Sequence, residues 1–476
     1  MKKRRFLEPF EVELRSLARG GVGAGVAPDG APIHVRGAPP GSRIRVLPQG
    51  RQKGVWQGRR LATIRPSPQA ATPQCALFGL CGGCVLQELT LFGQRQAKAS
   101  WALSEIVREF GVSEESLRER VNVHEIVGAD SAYGYRNRVE LSFGVRRYVS
   151  EKEKLEDASI EGKWLGFHAP GRFDRVVDAA RCELVSEALN RVIEVVREAA
   201  LTAESPPCWD AKNHTGFWRY LGLRESSTGE ILVSLYTASP VGDAEDRVSS
   251  LANTILNQAG VVGVVWFVND GVADVARGEV RGVWGRDHLF EQLGPVRYRL
   301  SPSSFFQTST EGALRLYDVI GEATRGYHGE LLDLYCGTGA IGLYLASVFA
   351  RVFGIEEVES AVNDARANAT ANGILTTTYV HGKVEDQLAA MPEADGPRVI
   401  VLDPPRVGLH PKVAKSMAEA KADLLLYVAC FPASLGRDAA ILEAGGWRLT
   451  DLRFVDLFPQ TGHVEAVGTF VRAPVD

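Results

Sequence analysis

The sequence predicts an α/β protein built from a small N-terminal β-barrel, a central α+β domain and a C-terminal doubly wound, Rossmann-like domain. From about residue 331 onward, buried strands alternate with helices, which is typical of a parallel sheet covered on both faces. Over residues 6–65, short β-like runs alternate with Gly and Pro turns, which favours a small antiparallel barrel. The length of 476 residues is enough for about three domains, and we place them at 1–70, 71–300 and 301–476.

The first predicted domain is strongly basic. Residues 1–70 hold 14 Lys and Arg against 4 Asp and Glu, a net charge of +10, whereas the whole chain carries −4. The remaining residues therefore carry −14, which is −4 minus +10. A basic barrel on an acidic body indicates a polyanionic partner, and small barrels with this turn spacing include the oligonucleotide-binding kind. A basic face that serves only solubility is the alternative interpretation.

Membrane insertion and secretion are not predicted. The longest uninterrupted apolar run, Val261–Val268, is far too short to cross a bilayer. The N-terminal stretch "MKKRRFLEPFEVEL" lacks the apolar core of a signal peptide. We therefore expect a cytoplasmic protein that does not bind membranes, in which the seven cysteines serve metal binding or catalysis rather than disulfides.

A group of cysteines opens the second predicted domain, after a linker-like stretch rich in proline. Cys75, Cys81 and Cys84 follow the pattern C-x5-C-x2-C, with glycines between the last two. Three cysteines so close together indicate a metal site that needs a fourth ligand from elsewhere. Four thiolates suit either an iron–sulfur cluster or a tetrahedral zinc ion, and the spacing leaves both open. A helix from Gln87 to about Phe110 is predicted next, followed by mixed strands and helices.

The third predicted domain contains a glycine-rich loop between a buried strand and a helix. Gly337, Gly339 and Gly342 match G-x-G-x-x-G, a pattern that lets the backbone approach a ligand closely. Such a loop suits a dinucleotide or S-adenosylmethionine, and two acids favour the second. Asp333 lies at the strand end, where it can hold a cationic or hydroxyl-rich ligand. Glu356 ends the next strand, where its two oxygens can bind both ribose hydroxyls.

Two further strand ends carry residues of chemical interest. Asp403 ends a buried strand and is followed by Pro404 and Pro405, which stiffen the turn. A strand-end D-P-P beside a glycine-rich loop recurs in S-adenosylmethionine methyltransferases and is foreign to dehydrogenases. Cys430 follows another buried strand, at the position where open α/β sheets bind ligands. A lone cysteine there could also be a small apolar residue that fills the strand end.

With these motifs the chain resembles the RNA uracil-C5 methyltransferases along nearly its whole length, and its barrel is similar to the TRAM domain of that family. The motifs are "SFFQTST" with Gln307, "DLYCGTG" with Asp333, Tyr335, Gly337 and Gly339, the strand-end Glu356, "DPPRVG" with Asp403 and Arg406, "YVACFPASLGRD" with Cys430, and "FPQTGHVE" with Glu465. The chain departs from the family at Ala429 and Phe431, where Ser and Asn are usual. Thr308 and Ser309 stand where an Asn usually follows Phe-Phe-Gln.

The resemblance implies methylation of uridine at C5 in RNA. Cys430 is the implied nucleophile, because a thiolate that adds to C6 of the base makes C5 able to attack a methyl sulfonium. Glu465 is the implied base that removes the C5 proton, with His463 as the next candidate. Asp403 could hold the cofactor or bind the uracil edge, and both roles stay open. The implied S-adenosylmethionine-binding residues are Gln307, Asp333, Tyr335, Gly337, Gly339, Glu356 and Asp403.

The resemblance also implies a [4Fe–4S] cluster, with Cys182 as the fourth ligand beside Cys75, Cys81 and Cys84. In this family the cluster is remote from methyl transfer, so a structural or RNA-folding role is expected. A TRAM domain combined with such a cluster resembles the enzymes of large-subunit ribosomal RNA more than those of tRNA. We therefore expect a monomeric enzyme whose RNA partner is 23S ribosomal RNA.

Two other functions fit parts of the sequence. A radical enzyme such as a methylthiotransferase also combines TRAM with iron–sulfur chemistry. Such an enzyme needs cysteines spaced C-x3-C-x2-C, and here the first gap is five residues. A non-catalytic RNA-binding protein or RNA chaperone with the same fold stays open as an alternative because of the altered neighbours of Cys430. The presence of both Cys430 and Glu465 favours the enzyme.

Overall fold

The N-terminal part of the chain forms a closed barrel, as its turn spacing predicts. The computed structural model describes residues 8–472 except 151, 152, 154, 156, 157, 389, 390 and 392–395. The barrel strands are β1 (Phe10–Ala18), β2 (Val22–Val26), β3 (Pro32–Val35), β4 (Arg43–Gln52) and β5 (Val55–Arg65). They pair in the order β1-β2-β3-β5-β4. Alternate residues such as Val12 and Leu14 on β1, or Ile33 and Val35 on β3, face inward and form the barrel core.

The central part is built on a seven-stranded sheet. Its strands are β8 (Arg138–Arg146), β9 (Glu161–Ala169), β10 (Arg172–Asp178), β11 (Trp218–Glu225), β12 (Ile231–Thr237), β13 (Val261–Val268) and β14 (Glu279–Gly285). They pair in the order β10-β9-β8-β11-β12-β13-β14. Helices α3 (Glu187–Ala200) and α4 (Ala244–Leu256) cover one face with apolar stripes. Tyr220, Tyr236 and Phe267 on the other face join the core of the C-terminal part.

The C-terminal part is a nine-stranded sheet. Its strands are β6 (Asn122–Val123), β7 (Val127–Gly128), β17 (Glu330–Leu334), β18 (Arg351–Glu356), β19 (Thr377–His381), β20 (Arg398–Leu402), β21 (Leu424–Ala429), β22 (Trp447–Asp456) and β23 (Glu465–Arg472). The order is β19-β18-β17-β20-β21-β23-β22-β6, and β7 also pairs with β22. Strands β17 to β21 are parallel, whereas β23 runs antiparallel to both of its neighbours. A separate hairpin consists of β15 (Leu289–Leu293) and β16 (Val296–Leu300).

Helices cover both faces of this sheet, so the predicted doubly wound fold is confirmed. The helices are α1 (Leu91–Phe110), α2 (Glu114–Arg120), α5 (Thr310–Ala323), α6 (Ala340–Leu345), α7 (Glu359–Ala371), α8 (Val384–Gln387), α9 (Pro411–Glu419) and α10 (Pro432–Ala444). Leu331 and Val401 face the core beneath α5 and α7, and Leu332 and Leu402 face the core beneath α1 and α10. No helix in the described part of the chain is both long and apolar enough to cross a membrane.

Helix α1 belongs to the C-terminal layer, although it lies early in the chain. Its start is capped by Thr90, whose hydroxyl accepts a backbone N–H of the first turn at 3.1 Å. It packs closely along α10, since a β-carbon on Gly436 would lie 2.5 Å from the carbonyl oxygen of Ile106. Residues 91–128 thus contribute two helices, α1 and α2, and two short strands, β6 and β7, to the C-terminal part. The predicted domain boundaries stay a prediction.

Candidate active site

The glycine-rich loop joins the end of β17 to the start of α6. Gly337 and Gly339 adopt left-handed backbone conformations with φ of 55° and 74°, which glycine tolerates without strain. Tyr335 also has a positive φ, 65°, and is held there because its N–H donates to the carbonyl of Ile355 at 3.0 Å. The loop therefore turns sharply at the carboxyl edge of the parallel strands, where such sheets bind ligands.

Glu356 ends β18 and is tied directly to this loop. Its Oε2 accepts the N–H of Gly337 at 3.0 Å, and its Oε1 accepts the N–H of Val358 at 2.8 Å. A carboxylate offers about four acceptor sites in all, so both oxygens retain capacity for ligand hydroxyls. This arrangement fits the predicted role of Glu356 with a ribose.

Asp333 is buried beneath the same loop, with only 1% of its surface exposed. Its Oδ2 accepts the N–H of Gly342 at 2.9 Å, which fixes the start of α6. Its Oδ1 has no hydrogen-bond partner among the described residues. Burial raises the pKa of Asp333 to about 7, and the charges of Asp403 and Glu356 act in the same direction. An unpaired, buried acceptor fits a ligand that donates hydrogen bonds or carries positive charge.

Cys430 and Glu465 come together at the carboxyl edge of the sheet, and Asp403 lies on the neighbouring strand end. Asp403 follows β20 and Cys430 follows β21, which are adjacent parallel strands. Strand β23 runs the opposite way beside β21, with Ala429 opposite Ala466. Cys430 directly follows β21 and Glu465 begins β23, so both lie next to this pair, and the charge of Glu465 acts on the Cys430 thiol. The predicted nucleophile and the predicted base share one site, although they are distant in sequence.

Burial and like charges raise the pKa values in this cluster. Burial and then Asp403 raise the pKa of Glu465, which is 5% exposed, to about 8, while Arg406 acts against this. Burial alone raises the pKa of Asp403 to about 7. Burial, Glu465 and Asp403 raise the pKa of Cys430 to about 11. At neutral pH the cluster thus holds protons that it can exchange with a bound substrate.

Arg406 and His463 meet beside this cluster. The guanidinium of Arg406 and Nδ1 of His463 lie 3.2 Å apart. Desolvation and the positive charge of Arg406 lower the pKa of His463, so the ring is neutral at pH 7. The same positive charge favours the ionised forms of Cys430 and Glu465. The D-P-P-R motif marked Arg406 in the sequence, but no pattern indicated its contact with His463.

Gln307 lies in the loop before α5, and the central domain holds that loop. The side-chain amide of Asn137 donates to the carbonyl of Gln307 at 3.1 Å and to Oγ1 of Thr310 at 2.9 Å. A β-carbon on Gly312 would lie 2.9 Å from the Cα of Leu457, so α5 packs tightly on the segment that leads to the cluster. Sequence analysis missed Asn137, because no spacing connects it to the Phe-Phe-Gln motif. The contact of Gln307 with a cofactor stays a prediction.

The segment between β22 and β23, residues 457–464, leads to the predicted base, and we call it the base loop. Lys98 of α1 is fully buried and anchors its beginning. The ammonium of Lys98 donates to Oδ1 of Asp456 at 2.6 Å and to the carbonyl of Phe458 at 2.9 Å. Burial lowers the pKa of Lys98, whereas Asp456 raises it. A charge pair without solvent contact therefore fixes one end of the base loop.

The middle of the base loop is held by five further hydrogen bonds. The amide of Gln94 donates to Oε1 of Gln460 at 2.9 Å, and the N–H of Gln460 donates to Oε1 of Gln94 at 2.7 Å. The carbonyl of Gln460 accepts the N–H groups of Val85 and Leu86 at 2.8 and 3.1 Å. The hydroxyl of Tyr135 donates to the neighbouring carbonyl of Pro459 at 2.8 Å. These partners hold Gln460 at a φ of 68°, a conformation uncommon for a residue with a side chain.

Four cysteines line one cavity of about 380 Å³ next to this loop. They are Cys75, Cys81, Cys84 and Cys182. Burial raises the pKa of each thiol, to about 12 for Cys84. Neighbouring thiols of the group add to the rise at Cys81, Cys84 and Cys182, and Glu183 adds to it at Cys75. Within the described ranges, no three His, Cys, Asp or Glu side chains are arranged to hold a single metal ion. The structure thus gathers the four predicted ligands, and the cluster stays a prediction.

Known proteins resemble this chain over nearly its whole length. The sequence profile of the tRNA (Uracil-5-)-methyltransferase family matches residues 284–473. An uncharacterized RNA methyltransferase of Caldanaerobacter subterraneus is 32% identical over 98% of this chain and 99% of its own. A tRNA (uracil(54)-C(5))-methyltransferase of Pyrococcus horikoshii is 31% identical over 91% of this chain and 94% of its own. The crystal structure of Pyrococcus abyssi tRNA (uracil-54, C5)-methyltransferase in complex with S-adenosyl-L-homocysteine covers 97% of this chain and 100% of its own, with 26% identity and a TM-score of 0.73.

Proposed function

This chain belongs to the RNA (uracil-C5)-methyltransferase family and is an S-adenosylmethionine-dependent enzyme, and we propose that it works through a covalent bond between Cys430 and C6 of the target uridine. The family membership confirms the resemblance inferred from the motifs. The observation that supports the proposed mechanism is the pairing of Ala429 with Ala466, the residues next to Cys430 and Glu465, together with the effect of the Glu465 charge on the Cys430 thiol. A nucleophile and a base side by side can act in turn on the two carbons of one double bond.

The first proposed step is the addition of Cys430 to the base. C5 of uracil is a weak nucleophile, so it must be activated before it can accept a methyl group. Cys430 gives its proton to solvent water, its sulfur bonds to C6, and the electrons of the C5=C6 bond move toward C5 and the C4 oxygen. Arg406 supports this step because its positive charge favours the thiolate. Cysteine suits it because a thiolate is both soft and strongly nucleophilic.

S-adenosylmethionine, when bound, supplies a methyl group on a positively charged sulfur. Its proposed ligands are Gln307, Asp333, Tyr335, Gly337, Gly339, Glu356 and Asp403. Two observations support this set: the unpaired Oδ1 of Asp333 and the spare acceptor sites of Glu356. Asp403 lies between the two sites and could bind either the cofactor or the uracil edge.

The last proposed step is the removal of the C5 proton. After methylation, C5 carries both a methyl group and a hydrogen. Glu465 takes that hydrogen as a proton, the electrons of the C–H bond restore the C5=C6 bond, and sulfur leaves C6 as the Cys430 thiolate. A pKa of about 8 suits this role, because such a carboxylate binds a proton firmly and still releases it near neutral pH. The neutral ring of His463 is the next candidate for the base.

The proposed substrate is 23S ribosomal RNA, bound in part by the N-terminal barrel. The charge of +10 in residues 1–70 supports a role of the barrel in RNA binding. Uridine 54 of tRNA is a second candidate, because both Pyrococcus relatives are named for that position. Their similarity extends over nearly the whole of this chain, so the barrel by itself does not separate the two RNA classes. We further propose that the enzyme acts as a monomer in the cytoplasm.

We also propose that Cys75, Cys81, Cys84 and Cys182 bind a [4Fe–4S] cluster. Their common cavity supports this, since a cluster takes one thiolate on each iron rather than four on one ion. Protein purified without oxygen should then be brown and contain about four irons and four sulfides per chain. Cys182→Ser should lose both, whereas Cys208→Ser, in the core of the central domain, should keep them. Stoichiometric zinc without sulfide would contradict the proposal.

Methyl transfer to RNA tests the proposed function directly. Cys430→Ala should abolish transfer of labelled methyl from S-adenosylmethionine, whereas Cys208→Ala should not. RNA with 5-fluorouridine at the target should become covalently attached to the wild type, because fluorine at C5 cannot leave as a proton. Unmodified 23S ribosomal RNA and tRNA transcripts, tested in parallel, distinguish the two substrates. Turnover by Cys430→Ala would contradict the assignment of Cys430 as the nucleophile. Methyl transfer to neither RNA would contradict both proposed substrates.

A further inference from the structure

The barrel contacts the active site through the turn between β1 and β2. Gly21 of this turn packs directly on Gly462 of the base loop. A β-carbon on Gly21 would lie 2.9 Å from the Cα of Gly462 and 2.6 Å from a methyl of Val85, and the φ of Gly21 is 74°. Backbone therefore meets backbone with no side chain between them. The position of the turn relative to the base loop is fixed by this contact.

Arg19 is the first residue of this turn, and its side chain reaches the residue that follows the proposed nucleophile. Its guanidinium carbon lies 4.7 Å from the ring centroid of Phe431. Phe431 is next to Cys430 and precedes α10. The ring of Phe431 is half-buried, and Arg19 is exposed, so this contact orients the guanidinium without holding it rigidly. The barrel thus contributes a side chain to the rim of the active site.

The charge of Arg19 is exposed, and Arg19 forms no ion pair with a carboxylate in the described part of the chain. Other arginines of the barrel do form such pairs: Arg43, Arg51, Arg60 and Arg65. The neighbouring cluster contains the carboxyl groups of Asp403 and Glu465, which repel a polyanion when they are ionised. An unpaired guanidinium at the rim offsets that repulsion where RNA must enter.

We propose that Arg19 binds a backbone phosphate of the RNA next to the target uridine, so that the barrel forms one wall of the active site. This inference rests on the proposed function and adds a positioning contact to it. A guanidinium over a ring keeps its N–H groups for the two oxygens of a phosphate, which it can bind bidentately. Because the turn is fixed against the base loop, a phosphate on Arg19 sets the distance from the RNA backbone to Cys430. The barrel then positions the uridine as well as attracting RNA.

The test neutralises one charge on each partner. Arg19→Gln removes the charge from the enzyme, and Arg45→Gln is the matched control, an exposed arginine of the same barrel without an ion pair in the described ranges. The RNA is an oligonucleotide centred on the uridine that the wild type methylates. Each flanking phosphate is replaced in turn by a neutral methylphosphonate. Binding affinity and single-turnover methylation are measured for every combination.

One methylphosphonate next to the uridine should weaken binding to the wild type about tenfold, because loss of one charge-assisted hydrogen bond lowers affinity by about that factor. The same RNA should bind Arg19→Gln almost as well as the unmodified RNA does. Arg45→Gln should respond to the same RNA as the wild type does. If Arg19→Gln also responds like the wild type at every position, the inference is wrong while the proposed function stands. If the wild type methylates no RNA, the proposed function fails, and the inference fails with it.

Discussion

The raised pKa of Glu465 should make release of methylated RNA depend on pH. Burial and Asp403 place this pKa at about 8. The base form therefore makes up about a tenth of the enzyme at pH 7 and about nine tenths at pH 9. If removal of the C5 proton limits release, the rate should rise about tenfold over this interval. A carboxyl group with an ordinary pKa would be ionised throughout, and the rate would be flat.

Single-turnover reactions with labelled methyl measure this rate. Denaturing gels separate free methylated RNA, which reports elimination, from RNA attached to protein, which reports addition. Both species must be followed, because the pKa of about 11 makes the addition of Cys430 depend on pH as well. Glu465→Gln should accumulate an adduct that carries the methyl and should release no RNA at any pH. A flat release rate in the wild type, or an adduct without methyl in the variant, would refute this role of Glu465 and favour His463.

The charges of Asp403 and Arg406 allow a test of whether electrostatic interactions set the pKa of Glu465. Asp403→Asn removes a negative charge that raises the pKa of Glu465, so the midpoint of the pH profile should move to lower pH. Arg406→Gln removes a positive charge that lowers this pKa, so the midpoint should move to higher pH. The midpoint is independent of any overall loss of rate. Midpoints that move in the same direction would contradict the explanation.

Two other contacts give predictions of their own. Lys98→Met should lower the free energy of unfolding by about 3–5 kcal/mol, because Asp456 is then buried without its partner. Urea unfolding should show most of this loss recovered when Asp456→Leu is added, and a loss equal to the sum of the single changes would contradict the coupling. Gly21→Ala should raise the KM for RNA more than Gly37→Ala. Both have positive φ, 74° and 64°, but only Gly21 has atoms where the methyl would lie. Equal effects would show that backbone strain alone matters.

The fold class was predictable because each parallel strand can be recognised from its own apolar sequence. Every residue of strands β17, β20 and β21 is buried, and all are apolar except Glu330, Asp333 and Arg398, which is typical of strands buried on both faces. Asp333 is the last residue but one of β17, and Asp403 and Cys430 directly follow β20 and β21. Parallel strands present their carboxyl ends at the same edge whatever their order, so these residues could be expected at one edge without knowledge of the topology.

The partners of the base loop could not be predicted, because they depend on pairings between distant segments. The apolar stripe of α1 indicates that one face is buried but not that α10 and the C-terminal sheet cover it. Gln94 and Lys98 are polar, so a hydrophobic pattern places them on the outer face of the helix. Both are buried, because each has hydrogen-bond partners in or next to the base loop.

The hydrogen bonds between Gln94 and Gln460 join residues 366 positions apart. During synthesis, α1 therefore leaves the ribosome long before its partners exist, and the domain must close over one of the longest intervals in the chain. Until β22 and β23 have been made, the nascent protein has its basic barrel and the proposed nucleophile Cys430 but lacks the proposed base Glu465. Such an intermediate can attract RNA without completing a reaction on it. With the proposed mechanism, the active site is therefore completed only late in folding. A prematurely terminated chain would bind RNA without releasing a methylated product.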